Sequence, residues 1–275
     1  MKFEVRYAAN PKDFKSYDTK RIREDFHVPS LMTEGEISLV YSHYDRMIIG
    51  GIVPNGNELK LESIPYQMTD NFLDRREVGI INVGNEGRVI ADDEEFILRK
   101  MDALYVGKGK KDVRFFSIDN NNPARFYINS SLAYSEFPSK LVKKEEANPV
   151  YLGDEKHSNK RVLNQYIVPG IVDTSQLMMG ITTVFEGSSW NTMPCHRHEL
   201  RMEAYFYFGI EEDQAVCHLM GEPDETRPVW LVNEEAVLSP PWSIHTASGT
   251  TPYNFIWGMA GSDSEMDGIR IPDLK

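Results

Sequence analysis

The amino-acid sequence predicts an all-β protein, and three observations support that fold class. Short runs of β-branched, aromatic and other apolar residues recur along the chain. Clusters rich in Gly, Asn and Pro, such as residues 54–57, 84–87 and 120–123, separate these runs. Segments with a helical period are few and short, and the best candidates are Thr19–Phe26 and Asp70–Arg76. Many short strands with this spacing are typical of a β-sandwich or a β-barrel.

The predicted strands are distributed over the whole chain. In order, they are Ile37–Tyr41, Met47–Ile49, Val78–Val83, Ala103–Val106, Val113–Ile118, Phe126–Ile128, Tyr166–Val168, Ile181–Phe185, Ala204–Phe208, Ala215–Met220, Val229–Val232 and Asn254–Met259. The intervening segment Ser139–Pro149 is rich in charge and poor in apolar residues, so we interpret it as a connector. The sequence thus predicts an N-terminal half, residues 1–148, and a C-terminal half, residues 149–275.

Composition restricts the partners that the protein can have. The chain of 275 residues has a formal net charge of -12, which disfavours a surface that follows phosphates, so we expect no nucleic-acid partner. No apolar run approaches the roughly 20 residues that span a bilayer, and the N-terminus lacks the apolar segment of a signal peptide. Two cysteines, Cys195 and Cys217, do not make a disulfide framework. We therefore expect a cytoplasmic protein without a membrane partner.

The segment around His196 is the densest in residue types that bind metals. His196 and His198 are two positions apart, so on a β-strand both side chains point to the same face. Glu203 follows five residues later at the start of an apolar strand, and His245 follows a Pro-rich approach to a further strand. Three imidazoles and one carboxylate suit Zn, Fe, Mn or Ni and do not choose among them.

Two simpler interpretations compete with a metal site. The histidines could form a hydrogen-bonded cluster inside a core, or the ion could be purely structural. About 0.2 His-x-His pairs are expected by chance for this histidine content, so the pair alone is weak. The added Glu203 and His245 make coincidence less plausible, and a structural zinc usually recruits cysteine. His218 and the other histidines have no such partners in the sequence, and we interpret them as surface or core residues.

The spacing of these residues resembles the cupin motifs. His196 and His198 are followed by four residues and Glu203, and then by five residues and Gly209; Pro240 and His245 resemble the second motif. Over the whole chain, four stretches resemble one cupin family, the 5-keto-4-deoxyuronate isomerases, also called 4-deoxy-L-threo-5-hexosulose-uronate ketol-isomerases. These stretches are Arg6–Pro11, Tyr17–Arg23, Met193–His198 and Ser239–His245.

This resemblance implies a fold, a cofactor and a reaction. It implies two cupin-like halves, one Zn2+ per subunit and a homohexamer. The family's ligand positions correspond to His196, His198, Glu203 and His245. The implied activity is that of a metal-dependent aldose–ketose isomerase in pectin breakdown. It would convert 5-dehydro-4-deoxy-D-glucuronate, a small keto-deoxyuronate, into 3-deoxy-D-glycero-2,5-hexodiulosonate.

A faint internal repeat suggests that the metal site occurs once. Residues 101–107 resemble the apolar run that contains Glu203. When the two runs are aligned, Asp102 coincides with Glu203, and Glu95 and Ile97 coincide with the two histidines. The sequence therefore predicts an N-terminal half without a metal site.

An isomerase of this kind also needs a proton-transferring group and a cation for the substrate carboxylate. The catalytic candidates, beside a metal-bound hydroxide, are Glu199, Tyr205 and Tyr207. The candidates for binding the carboxylate are Arg161, Arg197, Arg201 and Arg227. The sequence does not rank either set.

Three other functions use the same pattern of residues. An iron-dependent cupin oxygenase also has three histidines and one glutamate, and it would consume oxygen. A non-catalytic sugar-binding or regulatory cupin would bind a ligand without releasing product. A cupin isomerase of phosphorylated sugars would need a concentrated Lys/Arg cluster near the metal, which the sequence does not clearly contain.

Overall fold

Strands make up most of the regular structure of the protein. A computed structural model describes residues 1–262 and 269–272. In that part of the chain the α-helices are α1, Pro11–Phe14, and α2, Thr19–Phe26, and single 3-10 turns lie at Pro65–Gln67 and Lys144–Glu146. Within the same residues, no helix has the length and apolar character needed to cross a membrane. The predicted all-β fold class is confirmed.

The strands are labelled in chain order. The first group comprises β1 (Lys2–Arg6), β2 (His27–Val28), β3 (Ile37–Ser42), β4 (Ile48–Ile52), β5 (Leu59–Lys60), β6 (Arg76–Asn82), β7 (Gly87–Ala91), β8 (Glu94–Leu98), β9 (Ala103–Val106), β10 (Val113–Ser117), β11 (Phe126–Leu132) and β12 (Lys140–Val142). The second group comprises β13 (Asn148–Leu152), β14 (Arg161–Ile167), β15 (Met178–Val184), β16 (Arg197–His198), β17 (Arg201–Phe208), β18 (Val216–Glu222), β19 (Glu225–Leu231), β20 (Glu235–Ser239), β21 (Ile244–Gly249), β22 (Tyr253–Gly261) and β23 (Ile269–Arg270). Each predicted strand overlaps one of these.

One predicted helix is confirmed and the other is wrong. Helix α2 has the bounds that the sequence indicated, and the side chain of Asp18 accepts the backbone N–H of Arg21 at its start. The segment Asp70–Arg76 forms turns instead. The carboxylate of Asp74 accepts both the backbone and the side-chain N–H of Asn71, and this local closure competes with helical hydrogen bonds.

The first compact unit comprises Met1–Val5, Ser30–Ala147 and Tyr166–Met179. Its main sheet has the strand order β1-β3-β4-β11-β6-β9-β12, and a second sheet has the order β5-β10-β7-β8. Apolar side chains of both sheets, such as Val78 and Phe115, belong to one buried cluster. This cluster is the hydrophobic core of the unit.

The second compact unit comprises Arg6–Pro29, Asn148–Gln165 and Gly180–Lys275. Its main sheet has the order β13-β14-β15-β22-β17-β20-β2, and smaller sheets pair β19-β18-β21 and β16-β23. Every residue of β17 is buried. The predicted connector is not featureless, because it contains β12, a 3-10 turn and the start of β13. The division at residue 148 remains a prediction.

The main sheets of the two units have the same pattern of strand connections, with β6 in the position of β17. Met101 and Glu234, which both have positive φ (71° and 63°), donate their backbone N–H to the seventh residue of β6 and of β17, over 2.7 and 2.8 Å. Strand β9 is therefore the counterpart of β20. The sequence alignment of Asp102 with Glu203 is wrong, because it matched β9 with β17; the residue in the position of Glu203 is Val78.

Candidate metal centre

Strand pairing brings the four predicted ligands together. His198 ends β16, Glu203 is the third residue of β17, and His245 is the second residue of β21. His196, just before β16, forms an isolated antiparallel bridge with His245, whose backbone N–H donates to the carbonyl of His196 over 3.3 Å. One ligand atom of each side chain lies within 4.8 Å of the others. The four residues form a group that could hold a metal ion.

The contacts inside this cluster fit a cation. The Oε2 atom of Glu203 lies 3.0 Å from Nε2 of His245 and 3.3 Å from Nε2 of His198. Both Glu203 Oε2 and His245 Nε2 are buried, yet neither has a hydrogen-bond partner with acceptable geometry. Buried polar atoms are normally satisfied. Donor atoms that converge on one point without bonding to each other are the arrangement that a metal ion requires.

Two neighbouring side chains contact the far sides of the imidazole rings. The hydroxyl of Ser239 lies 3.1 Å from Nδ1 of His245, and Nη2 of Arg201 lies 3.3 Å from Nδ1 of His198. Such contacts orient ligand rings and tune their basicity. In both rings the Nε2 atom is left facing Glu203.

Three members of the cluster, His196, His198 and Glu203, have suitable protonation states at neutral pH. Burial, with a further contribution from His245, lowers the pKa of His196 to about 2, and burial likewise lowers the pKa of His198. Burial alone would raise the pKa of Glu203, but the neighbouring histidines hold it well below its ordinary value. Neutral imidazoles beside a charged carboxylate are the forms that bind a divalent metal.

A cavity of about 250 Å³ opens beside the cluster. His196, His198 and Glu203 line one part of it. Its other lining side chains include the apolar or aromatic residues Leu152, Leu163, Phe255, Trp257 and Met259, and the polar residues Arg161, Thr182, Asn191, Thr192, Arg201 and Tyr205. Predominantly apolar walls with a few convergent polar groups are typical of small-molecule sites.

Two of the four candidate arginines line this cavity and two do not. Arg161 and Arg201 line it, and Arg161 also donates to the carbonyl of Asn159 over 2.7 Å. Arg197 and Arg227 are not among its lining residues and form ion pairs with glutamates at 2.9 and 2.7 Å. Of the four candidates, Arg161 and Arg201 are therefore the two placed to meet a ligand in this space.

Of the three catalytic side-chain candidates, one lines the cavity and two do not. Tyr205 lines the cavity, and its ring centroid lies 5.4 Å from that of His245. Glu199 pairs with Arg197 and Tyr207 bonds to a buried histidine at 2.8 Å, and neither lines the cavity. Burial raises the pKa of Tyr205 well above its ordinary value, so its hydroxyl remains protonated at neutral pH. It can donate a hydrogen bond to a ligand, whereas the raised pKa makes it a weak acid and the protonated hydroxyl is a poor base.

Comparison with known proteins identifies the family. The KduI/IolB family model matches residues 28–275. The chain belongs to the KduI/IolB family. Two relatives that carry the name 4-deoxy-L-threo-5-hexosulose-uronate ketol-isomerase are similar over the full length. The one from Formosa agariphila is 51% identical, with 100% of this chain and 99% of the relative covered. The one from Halalkalibacterium halodurans is 49% identical, with 99% and 100% covered. The resemblance seen in the sequence is confirmed.

Solved structures with low sequence identity share the fold. An IolB-like protein from Salmonella typhimurium LT2 has a TM-score of 0.71 at 16% identity, with 90% of this chain and 96% of that chain covered. An oxalate decarboxylase from Lactobacillus farciminis has a TM-score of 0.55 at 10% identity, with 80% and 78% covered. At such identities the comparison supports the architecture of this KduI/IolB member and carries no information on its substrate.

Sequence reasoning missed several polar groups of this KduI/IolB member. Thr182 and Trp257 line the cavity, and Thr182 Oγ1 and Trp257 Nε1 are buried without a hydrogen-bond partner among the described residues. Both belong to predicted strands, but their sequence context gives no reason to separate them from core residues. Asn191 and Thr192, in the loop before the histidines, carried no signal at all.

Proposed function

We propose that this KduI/IolB member is a metal-dependent aldose–ketose isomerase. It converts 5-dehydro-4-deoxy-D-glucuronate into 3-deoxy-D-glycero-2,5-hexodiulosonate. The observation that carries the proposal is one cavity whose wall contains two histidines and the glutamate of the four-residue cluster, two arginines and a protonated tyrosine. The names of relatives about half identical over their full lengths support the same reaction and substrate.

The metal would be held by His196, His198, Glu203 and His245. When bound, a divalent ion supplies Lewis-acid stabilisation of the negative charge that develops on the substrate oxygens. We propose Zn2+, one per subunit. Three nitrogen ligands and one oxygen ligand fit zinc, and the family resemblance favours it, although Fe, Mn and Ni accept the same set.

The cavity walls can position a uronate. Arg161 and Arg201 present guanidinium groups that match a carboxylate in charge and in planar geometry. Thr182 Oγ1 and Trp257 Nε1 are unpartnered polar atoms that can bond to substrate hydroxyl or carbonyl oxygens. Apolar neighbours such as Met259 exclude water and strengthen these polar contacts.

Moving the carbonyl from C1 to C2 requires loss of a proton at C2 and its return at C1. Because the hydroxyl of Tyr205 is protonated, we assign it the donor role toward a substrate oxygen. Outside the cluster, the cavity wall also contains Arg161 and Arg201, and a guanidinium group has no acceptor site for a proton. Glu199 and Tyr207 do not line the cavity, so the proposal does not retain them as catalytic groups. Of the candidates, the group that would take the proton from C2 and return it at C1 is a hydroxide that the bound metal would supply.

Turnover of the keto-uronate tests the proposal directly. Purified protein should form the diulosonate when metal-loaded, lose activity after chelation, and regain it when zinc is returned. Turnover under anaerobic conditions would exclude the oxygenase alternative, whereas substrate binding without product would favour a sugar-binding protein. Full activity in verified metal-free protein would refute the metal-dependent mechanism.

The proposed assembly rests on the resemblance, and the proposed location rests on the sequence pattern. We propose a homohexamer, which light scattering after gel filtration would detect as a particle of six subunit masses. We propose a cytoplasmic enzyme, and cell fractionation would test that location.

A further inference from the structure

A second cavity, in the first unit, gathers three arginines. It measures about 200 Å³ and lies within the first unit's own residues. Its lining includes Arg46, Arg75, Arg76, Tyr41, Tyr66 and Leu132. The chain has a net charge of -12, so three neighbouring cations make this cavity locally positive in an acidic protein.

Arg76 is the most deeply placed of the three. Only 3% of it is exposed, and its Nε donates to the hydroxyl of Ser130 over 3.0 Å. Its Nη2 donates to the carbonyls of Arg46 and Ser130, each over 2.6 Å. Among the described residues no partner of Nη1 is found. Burial lowers the pKa of Arg76 to about 10, so the side chain is still a cation at neutral pH.

The carboxylate of Glu77 favours the charged form of Arg76 electrostatically, but the two side chains form no ion pair. In the described part of the chain, no acidic group forms an ion pair with Arg46, Arg75 or Arg76. The carboxylate that follows Arg76 in sequence belongs to Glu77, and it is fully committed elsewhere. It accepts hydrogen bonds from the side chains of Tyr105 and Ser131 and from the backbone N–H groups of residues 175–177. Because the Glu77 carboxylate is bonded to other groups, the buried guanidinium of Arg76 can still accept a direct contact from an anionic ligand.

The position of Arg76 in the fold provides an independent argument. Arg76 is the first residue of β6, and Arg201 is the first residue of β17 in the corresponding sheet of the second unit. Arg201 lines the cavity beside the candidate metal centre. The first unit thus keeps a buried arginine at the edge of a cavity, at the same point of the same strand.

We propose that the arginine cavity of the first unit binds a small organic carboxylate with a ring body, of the sugar-acid class. Arg75 and Arg76 supply the cations for the carboxylate. Tyr41 and Tyr66, with ring centroids 5.3 Å apart and an interplanar angle of 36°, supply aromatic surface beside it. The site binds its ligand without catalysing a reaction, because the residues that line it include no histidine or carboxylate to hold a catalytic metal.

Calorimetric titration of the intact protein with D-galacturonate tests this site, with D-galactose as the neutral match and inorganic phosphate as the simple oxyanion. We expect galacturonate to bind to a class of sites whose affinity falls about tenfold or more in Arg75→Gln, because a charge-assisted hydrogen bond is lost. Arg75 is exposed, so this variant should fold and should turn over the keto-uronate normally. Galactose should not bind in this class.

Arg161→Gln distinguishes binding at the two cavities. It alters the cavity near the candidate metal centre and should leave the affinity of the Arg75-dependent class unchanged. Arg76→Gln, checked for folding by circular dichroism, should weaken binding at least as much as Arg75→Gln. The proposal is overturned if both variants titrate like the wild type, if galactose binds equally well, or if phosphate alone shows the Arg75-dependent binding.

Discussion

The two units place opposite chemistry on the same arrangement of strands. Matching β6 with β17, and β10 with β21, pairs each residue of the metal cluster with a residue of the first unit. His196, His198, Glu203 and His245 correspond to Leu59, Leu61, Val78 and Phe115. Val78 and Phe115 are completely buried in the apolar core of the first unit, and Leu59 packs against that core.

This comparison shows that the backbone arrangement does not itself create a metal site. The same strand positions hold either four converging ligand atoms or hydrocarbon. Function therefore lies in the side chains that a fold carries, and not in the fold. The prediction that the first unit holds no metal can be tested by changing each unit at matched positions.

The largest effect is expected for His245→Ala. Loss of this ligand should reduce kcat/KM on the order of 1,000-fold, because Lewis-acid stabilisation is worth several kcal/mol. Metal content measured by mass spectrometry should fall in parallel. The matched control is Phe115→Leu, which should leave the metal content unchanged. Metal retained at one ion per chain in His245→Ala would contradict a single site in the second unit.

Val78→Glu places a carboxylate in the first unit at the position of Glu203. Without histidines around it, a carboxylate in this core should lower the free energy of unfolding by about 4 kcal/mol. Val78→Ala, which removes volume without adding charge, should cost roughly half as much. Urea unfolding measures both. Equal losses would show that the position tolerates charge, and the contrast between the units would then be weaker than proposed.

Ser239→Ala removes the hydroxyl that contacts Nδ1 of His245. Loss of such a contact should weaken metal binding by roughly 10- to 100-fold, measured by competition with a chelator. The corresponding residue of the first unit is Val106. Val106→Thr adds a hydroxyl there and should not change the affinity. An unchanged affinity in Ser239→Ala would mean that the ring is held by its packing.

His218 gives the smallest effect, and it depends on pH. Burial lowers the pKa of His218 from 6.5 to about 3, so the unfolded chain binds a proton that the folded protein does not. The stabilising contribution is complete above pH 6.5 and decreases as the pH falls toward 3. In metal-free protein, His218→Phe should remove about 2 kcal/mol of the stability difference between pH 7 and pH 5.

The corresponding residue of the first unit is Gly87, as the hairpins β7–β8 and β18–β19 show. A Cβ atom on Gly87 would lie 2.4 Å from Cζ of Phe126. The ring of Phe126 in the first unit thus occupies space beside Gly87, where the second unit has the buried imidazole of His218. A parallel pH dependence in His218→Phe and the wild type would contradict the role given to His218.

The sequence singled out the four members of the candidate metal site, in part because the spacing of two of them follows the alternation of a strand. His196 and His198 share a face, and Glu203 opens a run whose apolar pattern is clear. The cavity was not predictable in the same way. Thr182 and Asn191 reach it through strand register and a loop path, which depend on pairings that are distant in the chain. The arginines could be proposed as a set, but only the lining of the cavity and the ion pairs ranked them.

The internal repeat shows a second limit of sequence reasoning. The run at Ala103–Val106 resembled β17 because both are short, apolar and followed by glycine. Hydrogen-bond register makes β6 the true counterpart, and β6 has no histidine pair before it that could have guided the alignment. In a chain of many similar strands, pairing carries information that a local match does not contain.

Glu77 also determines where this chain can be divided. Three of its donors are the backbone N–H groups of residues 175–177, beyond the apparent midpoint of the sequence. A fragment ending at Ala147 would leave a buried carboxylate with only the hydroxyl groups of Tyr105 and Ser131. If the two similar units arose by duplication, the first unit now depends on residues 175–177, which follow the midpoint of the chain. Recombination or protein engineering at that midpoint would not recover an autonomous ancestral module.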